Sequence, residues 1–177
     1  MRIAVIAPGG MGAAVARRLQ RNGAEVAVTL QGRSPASAAR AAGLPLQESE
    51  AALVRWADAV LSILPPGDAL ALAERLAPVL AERPGQVLYA DCNAISPTSA
   101  QAIAAAVPAA RVVDIGIIGG PPGADGPGPK LYASGANAAA LLGLRAHGID
   151  YRVIEGGIGA ASALKMGYAG ITKGLTA

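Results

Sequence analysis

Short apolar runs alternate with amphipathic stretches along the whole chain. The first run, Ile3 to Ile6, has the continuous apolar pattern of a strand buried on both faces. Three glycines follow, Gly9, Gly10 and Gly12, and then a helical pattern. Ala13, Ala16 and Leu19 share one side of that helix and arginines the other; Gly23 ends it as a C-cap glycine. Further strands are predicted over Glu25 to Leu30, Ala59 to Leu64, Val87 to Ala90, Arg111 to Ile115, Lys130 to Ser134 and Tyr151 to Ile154. Helical patterns lie between them, over Ser34 to Ala42, Glu48 to Trp56, Asp68 to Leu80 with Asp68 as cap, Ser96 to about Val107, and Asn137 to Ala146. Ser34-Pro35 and Ser96-Pro97 each start a helix with an N-cap hydroxyl and a proline at the first turn. Pro84-Gly85 is a turn, and Gly119 to Pro129 is a loop crowded with glycine and proline. A last helix runs from about Ala161 to the end of the chain.

This alternation predicts an α/β chain: a doubly wound, mostly parallel Rossmann sheet with helices on both faces and a long C-terminal helix. At 177 residues it fits one domain, or one domain and the beginning of a second. Residues 1–160 read as a dinucleotide-binding domain. Apolar residues make up 53% of the chain, charged residues 15%, and Phe is absent. The core is therefore built from Ala, Val, Leu and Ile, which allow close helix–sheet packing, and the apolar surplus suggests surface covered by a partner. No run approaches the roughly 18 apolar residues of a membrane span. The first strand meets glycines too soon for a signal peptide. The net charge of +3 comes mostly from scattered arginines with no interleaved aromatics, which argues against nucleic acid as a partner. One cysteine, Cys92, rules out an internal disulfide, and with the single His147 it leaves no metal-ligand cluster. A cytoplasmic protein is the expectation.

Strand, glycine turn and helix in that order build a dinucleotide site. Pro8, Gly9, Gly10, Met11 and Gly12 would let the backbone approach a pyrophosphate, with the helix N–H groups and dipole facing it. The spacing is Ala7-x-Gly9-x-x-Gly12 rather than Gly-x-Gly-x-x-Gly, which is harmless if Ala7 has a negative φ. The plain alternative is an ordinary βα turn. The second strand ends Thr29, Leu30, Gln31, without the acid that commonly holds a ribose 2′-hydroxyl. Arg33 and Ser34 follow and suit the 2′-phosphate of NADP, with NAD as the lesser option. The alternative makes Arg33 a solvated loop residue and Ser34 only a cap. Leu64 and Pro65 put a rigid loop over the cofactor edge of the sheet. Asn93 lies at the end of the fourth long strand, facing either nicotinamide and substrate or an Asx turn. Cys92 reads as a small buried hydrophobe, and His147 as a helix-capping residue.

Lys165 is one of three lysines and stands early in the last helix. Tyr168 and Thr172 share roughly its face; Leu164, Ile171 and Leu175 form an apolar stripe. A partly buried lysine whose pKa falls toward neutrality can exchange a proton with an alcohol as hydride moves. The alternative is an exposed helix lysine.

Four ordered segments carry a family resemblance: Ile6 to Gly12, Asp91 to Pro97, Asp114 to Gly120, and Gly157-Ile158-Gly159 followed by Lys165. The chain resembles the β-hydroxyacid dehydrogenases, the family of 6-phosphogluconate and 3-hydroxyisobutyrate dehydrogenases, in a less characterised branch with a divergent C-terminal domain. With the NADP reading of Arg33 and Ser34, the resemblance implies an NADP-dependent oxidoreductase acting on a small hydroxy acid or related hydroxy or carbonyl compound. It implies Lys165 as general acid/base, with Gly119, Gly120 and Asn93 near the substrate. Two family positions differ: Ile118 stands where a serine is usual, and Ala169 where an asparagine is usual. Tyr168 and Thr172 are the substitutes at hand. These departures leave open a cofactor-binding module without catalysis. Imine reduction is a third reading, against which Lys165 argues, since those relatives generally carry another residue there. The resemblance also implies that residues 161–177 begin an interdomain helix leading to a helical domain absent or truncated here. About 22 Å of amphipathic arm would otherwise pack on a second copy, giving a homodimer through that helix.

Overall fold

The computed structural model describes residues 1–123, 126 and 128–174, the last two by backbone only. The loop reading at 124, 125 and 127, and the apolar position Leu175, lie outside the described residues.

Eight strands form one sheet: β1 (Arg2–Ile6), β2 (Glu25–Thr29), β3 (Leu46–Gln47), β4 (Ala59–Ser62), β5 (Leu88–Asp91), β6 (Arg111–Ile118), β7 (Lys130–Ser134) and β8 (Asp150–Val153). Their spatial order is β3-β2-β1-β4-β5-β6-β7-β8. The first six follow the dinucleotide-binding order, which reverses direction between β1 and β4. All neighbouring pairs are parallel except β6 with β7. The exception follows from the sequence between them. The described residues between them include no crossover helix, which a parallel connection needs.

Alternate residues of β1 feed two cores. Ile3 and Val5 join Val15, Ala16 and Leu19 of α1 (Gly10–Arg21) on one face. Ala4 and Ile6 join Leu53 of α3 (Glu50–Trp56), Leu72 and Leu76 of α4 (Ala69–Ala81) and Ile103 of α5 (Pro97–Ala106) on the other. Each of these four β1 side chains is fully buried, and full burial of a Val or Ile side chain is worth about 1.5–3 kcal/mol. The short α2 (Pro35–Arg40) lies at the surface, and α6 (Ala160–Gly174) packs on β6 and β7 beside α5.

Three local expectations change. The stretch predicted as a helix over Asn137 to Ala146 is a 3-10 helix, Ala138–His147; apolar spacing does not separate the two forms. Asp68 does not cap α4 with its side chain, because it ends a short 3-10 turn, Pro66–Asp68, with an αR backbone. An N-cap needs extended backbone for its oxygen to reach the first-turn N–H groups. Strand β6 runs three residues beyond Ile115, to Ile118, where antiparallel pairing with β7 sustains it.

Candidate functional site

The site lies along the carboxyl edge of the parallel strands, at the reversal between β1 and β4. Gly9 precedes α1 with extended backbone, and no side chain caps that helix. The N–H groups of its first turn therefore remain available. A Cβ built on Gly9 or Gly10 meets nothing within 4 Å. Gly12 differs: its Cβ would stand 2.1 Å from the carbonyl oxygen of Ala7. It is the glycine that seats the helix on the strand, while the other two leave the cradle bare. Ala7 has no positive φ, so the first glycine position of the motif does not call for a left-handed backbone here. Its carbonyl accepts from Gly9 N at 2.8 Å, which tightens the turn.

Ala7, Gly9, Gly10, Met11 and Gly12 line an open cleft of about 430 Å³ with Arg33, Ser34, Ser37, Leu64, Pro65 and Asp68. The three predicted cofactor segments thus meet in one place. The bare cradle, the uncapped helix and the open cleft fit the pyrophosphate of a dinucleotide. Pro8 precedes the cradle but does not line the cleft.

At the outer end of the cleft, Ser34 accepts from Ser37 N at 3.3 Å as the N-cap of α2. Arg33 is a partner rather than a solvated residue. Its guanidinium donates to Glu50 at 2.8 Å, and both side chains are largely buried. Glu50 also receives Arg75 through both carboxylate oxygens, at 2.7 and 3.2 Å. Burial raises the Glu50 pKa, but Arg75 and Arg33 together outweigh it and hold the carboxyl below its ordinary value.

At the inner end, neighbouring strands place Ser62, Asp91, Asp114 and Ser134 in one cross-sheet row. All four are buried. Asn93, 3% exposed, completes the row. Its amide donates to Asp91 and Ser62, and its oxygen accepts from Leu64 N at 2.7 Å. Asn93 therefore holds the Leu64-Pro65 loop from beneath. Burial pushes the Asp91 carboxyl up to about 7, the Asn93 bond opposes this, and Asp114 adds to the rise. Asp91 Oδ2 has no partner among the described residues.

Asp114 pins the start of α6. Its carboxylate accepts from Gly159 N at 2.8 Å, Ser162 N at 3.0 Å, the Ser162 hydroxyl at 2.6 Å and the Ser134 hydroxyl at 3.1 Å. One turn later α6 crosses β6 in near contact. A Cβ on Gly116 would lie 2.6 Å from the Ala161 oxygen and 3.0 Å from Lys165 Cβ. Lys165 is half-buried at this crossing. Tyr168 is 47% exposed on the same helix, and the Thr172 hydroxyl donates to Tyr168 O at 2.9 Å. Gly119 and Gly120 begin the loop after β6, and Gly119 takes a φ of 121°.

Residues 2–142 match the family of the NAD-binding domain of 6-phosphogluconate dehydrogenase. The chain belongs to that family. Among solved structures, this 6-phosphogluconate dehydrogenase-type domain is similar to the conserved protein MTH1747 of unknown function, itself described as similar to 3-hydroxyacid dehydrogenases. The identity is 30% and the TM-score 0.87, over 99% of this chain and 66% of that one. A conserved hypothetical protein from Sinorhizobium meliloti 1021 matches at 25% identity and TM-score 0.81, over 99% of this chain and 60% of that one. An imine reductase from Myxococcus stipitatus in complex with NADP+ shares the fold, at 20% identity and TM-score 0.80, over 99% and 62%. No curated protein matches. The chain spans about two thirds or less of the length of these solved proteins. The family is that of a dehydrogenase's NAD-binding domain, and the imine reductase of the same fold was solved with NADP+ bound.

Sequence reading missed Glu50 and Arg75, and it named Asp114 only as the first residue of one family segment. Glu50 fell inside the helix predicted from Glu48 to Trp56, which in the structure starts at Glu50 with Ser49 as its cap. Nothing local announced that Glu50 faces two arginines. Cys92 is buried, with burial raising its thiol pKa. His147 Nδ1 bonds Asn22 O at 2.8 Å, so it serves the end of α1 rather than its own helix. Among the described residues no acid, His or Cys cluster could hold a metal, and no helix is long and apolar enough to cross a membrane.

Proposed function

We propose that this is the nucleotide-binding part of an NADP-dependent oxidoreductase acting on a small hydroxy acid or a related hydroxy or carbonyl compound. The observation that carries the reading is the placement of Lys165. The Asp114 cap and the Gly116 contact fix it at the carboxyl end of β6, on the sheet edge that also carries the open glycine cradle. In this reading Gly9, Gly10, Met11 and Gly12 hold the pyrophosphate through backbone N–H groups. Arg33 and Ser34 face the 2′-phosphate. Leu64 and Pro65, held by Asn93, shape the wall toward the nicotinamide.

A nicotinamide held there would supply hydride exchange with the substrate carbon. The chain's own task is the proton. In the reducing direction the Lys165 ammonium gives a proton to the oxygen of the reduced carbonyl. In the oxidising direction its amine takes that proton back. Gly119 and Gly120 leave room for substrate at the loop after β6, with Tyr168 and Thr172 nearby in sequence on the lysine's helix. Asn93 acts on the substrate side only through the loop it holds. A homodimer formed through the exposed face of α6 fits Leu164 and Ile171, which share one side of the helix and are 40% and 65% exposed.

The test replaces Lys165 by Ala in the protein carrying its full active site. Turnover of a panel of small hydroxy acids and their oxo counterparts should fall about 100-fold or more, with the NADPH dissociation constant unchanged. Retained turnover in Lys165→Ala would remove the lysine from the chemistry. A second reading, binding without turnover, is favoured by Ile118 and Ala169, which offer a substrate no side-chain hydrogen bond. NADPH binding to wild-type protein that oxidises it against no member of the panel would select it.

A further inference from the structure

The outer end of the cleft holds a charge arrangement that the cofactor assignment does not require. Arg33, Gln31, Gly32, Glu50 and Arg75 line a second recess of about 320 Å³ that adjoins the cleft through Gly32 and Arg33. Glu50 comes from α3, Arg75 from α4, and Arg33 from the loop after β2, so three elements meet at one carboxylate. Gln31 Oε1 accepts from Glu50 N at 2.9 Å and fixes the start of α3 against that loop.

We propose that Glu50 is a positioning residue for recognition of a 2′-phosphorylated dinucleotide, holding Arg33 at the mouth of the cleft, and that Arg75 is the counter-cation that makes this tolerable. The inference rests on the NADP reading above. Glu50 bonds one terminal nitrogen of Arg33. Arg33 lines the cleft, and its Nε is buried with no partner among the described residues. A carboxylate so close to a phosphate site would ordinarily repel the phosphate. Asp68 lines the same cleft, so Glu50 and Asp68 alone would outnumber Arg33. The bidentate pair with Arg75 restores the balance, and Arg75, with its side chain 54% exposed, remains open to solvent and ligand. A tethered arginine also loses less side-chain freedom when it binds phosphate.

The test titrates NADPH and NADH by nicotinamide fluorescence into wild-type, Glu50→Gln, Arg75→Met and Arg75→Lys proteins, with thermal unfolding of each. Wild type should prefer NADPH. Glu50→Gln and Arg75→Met should each weaken NADPH about tenfold, the scale of one charge-assisted contact. NADH affinity should stay within about twofold, and Arg75→Lys should recover part of the loss. Arg75 is solvent-facing, so Arg75→Met is the variant whose folding is safest. Equal weakening of both cofactors in step with unfolding temperature would show a merely structural role and overturn the inference. So would an unchanged preference in Glu50→Gln and Arg75→Met. Absence of any NADPH preference in wild type would overturn the NADP reading as well, and is distinguishable because it appears before any substitution.

Discussion

The two halves of the site are made of different material. Around β1 and α1 the working groups are backbone N–H groups, exposed because glycines carry no side chain and no residue caps the helix. Around β5, β6 and α6 they are side chains: a buried row of Ser62, Asp91, Asn93, Asp114 and Ser134 supporting a half-buried lysine. A backbone cradle suits a ligand that brings its own charge, since helix-end dipoles stabilise a phosphate without a fixed cation. A proton-transfer site needs a group placed within hydrogen-bond reach, which takes a rigid support. The difference predicts opposite responses to substitution. The first half tolerates additions that do not strike backbone, and the second tolerates few deletions.

The largest effect should come where the cradle does strike backbone. Gly12→Val should destabilise the fold by about 3 kcal/mol or more, since even its Cβ would sit 2.1 Å from the Ala7 oxygen; thermal unfolding reads this. Asp114→Ala comes next. It leaves two backbone N–H groups and two hydroxyls without their acceptor, for a loss of about 3 kcal/mol, and should lower turnover further by loosening α6 under Lys165. An unfolding temperature like wild type's would show that the row does not support the helix.

Asp91 gives a pH-dependent effect of intermediate size. Its carboxyl stands near 7 in the folded protein against an ordinary 3.8. Between those values the folded state binds the extra proton, so this group's contribution to stability falls as pH rises from about 4 to about 7, then levels off. The slope is at most about 1.4 kcal/mol per pH unit. Asp91→Asn should remove it, seen as a flatter denaturant midpoint against pH above about 5, where the other carboxylates have finished titrating. The smallest effect is Ser34→Ala. Loss of the cap on α2 should lower stability by about 1 kcal/mol or less, with NADPH affinity falling more than NADH affinity.

The two halves also differ in how much of them the sequence reveals. A cradle of bare N–H groups restricts residue identity at fixed spacing, so Gly9, Gly10 and Gly12 were legible beside the strand and helix that frame them. The mostly parallel sheet followed from the alternation of elements, whereas the two-residue β3 and the antiparallel direction of β7 did not. Arg33 was visible as a charge at a strand end, but its partners Glu50 and Arg75 lie 17 and 42 positions further along, and only the packing of α3 and α4 brings them in. Asp114 resembled any strand-end acid. Its role as the cap of a helix 45 residues away depends on the sheet registering Asp114 beside Ser134. Asn93 carried two open readings, and the structure shows its amide holding the Leu64 loop.

The claim beneath the whole account is that the turn before α1 binds two linked phosphates through its backbone. The direct measurement titrates NADPH by fluorescence into wild type and Gly10→Asp, with unfolding temperatures recorded for both. A side chain at Gly10 meets nothing within 4 Å, so the variant should fold as wild type does while its carboxylate occupies the cradle. The account predicts saturable NADPH binding in wild type and a loss of about 100-fold in Gly10→Asp, roughly 2.7 kcal/mol, at an unchanged unfolding temperature. Equal NADPH affinity in the two folded proteins would contradict it.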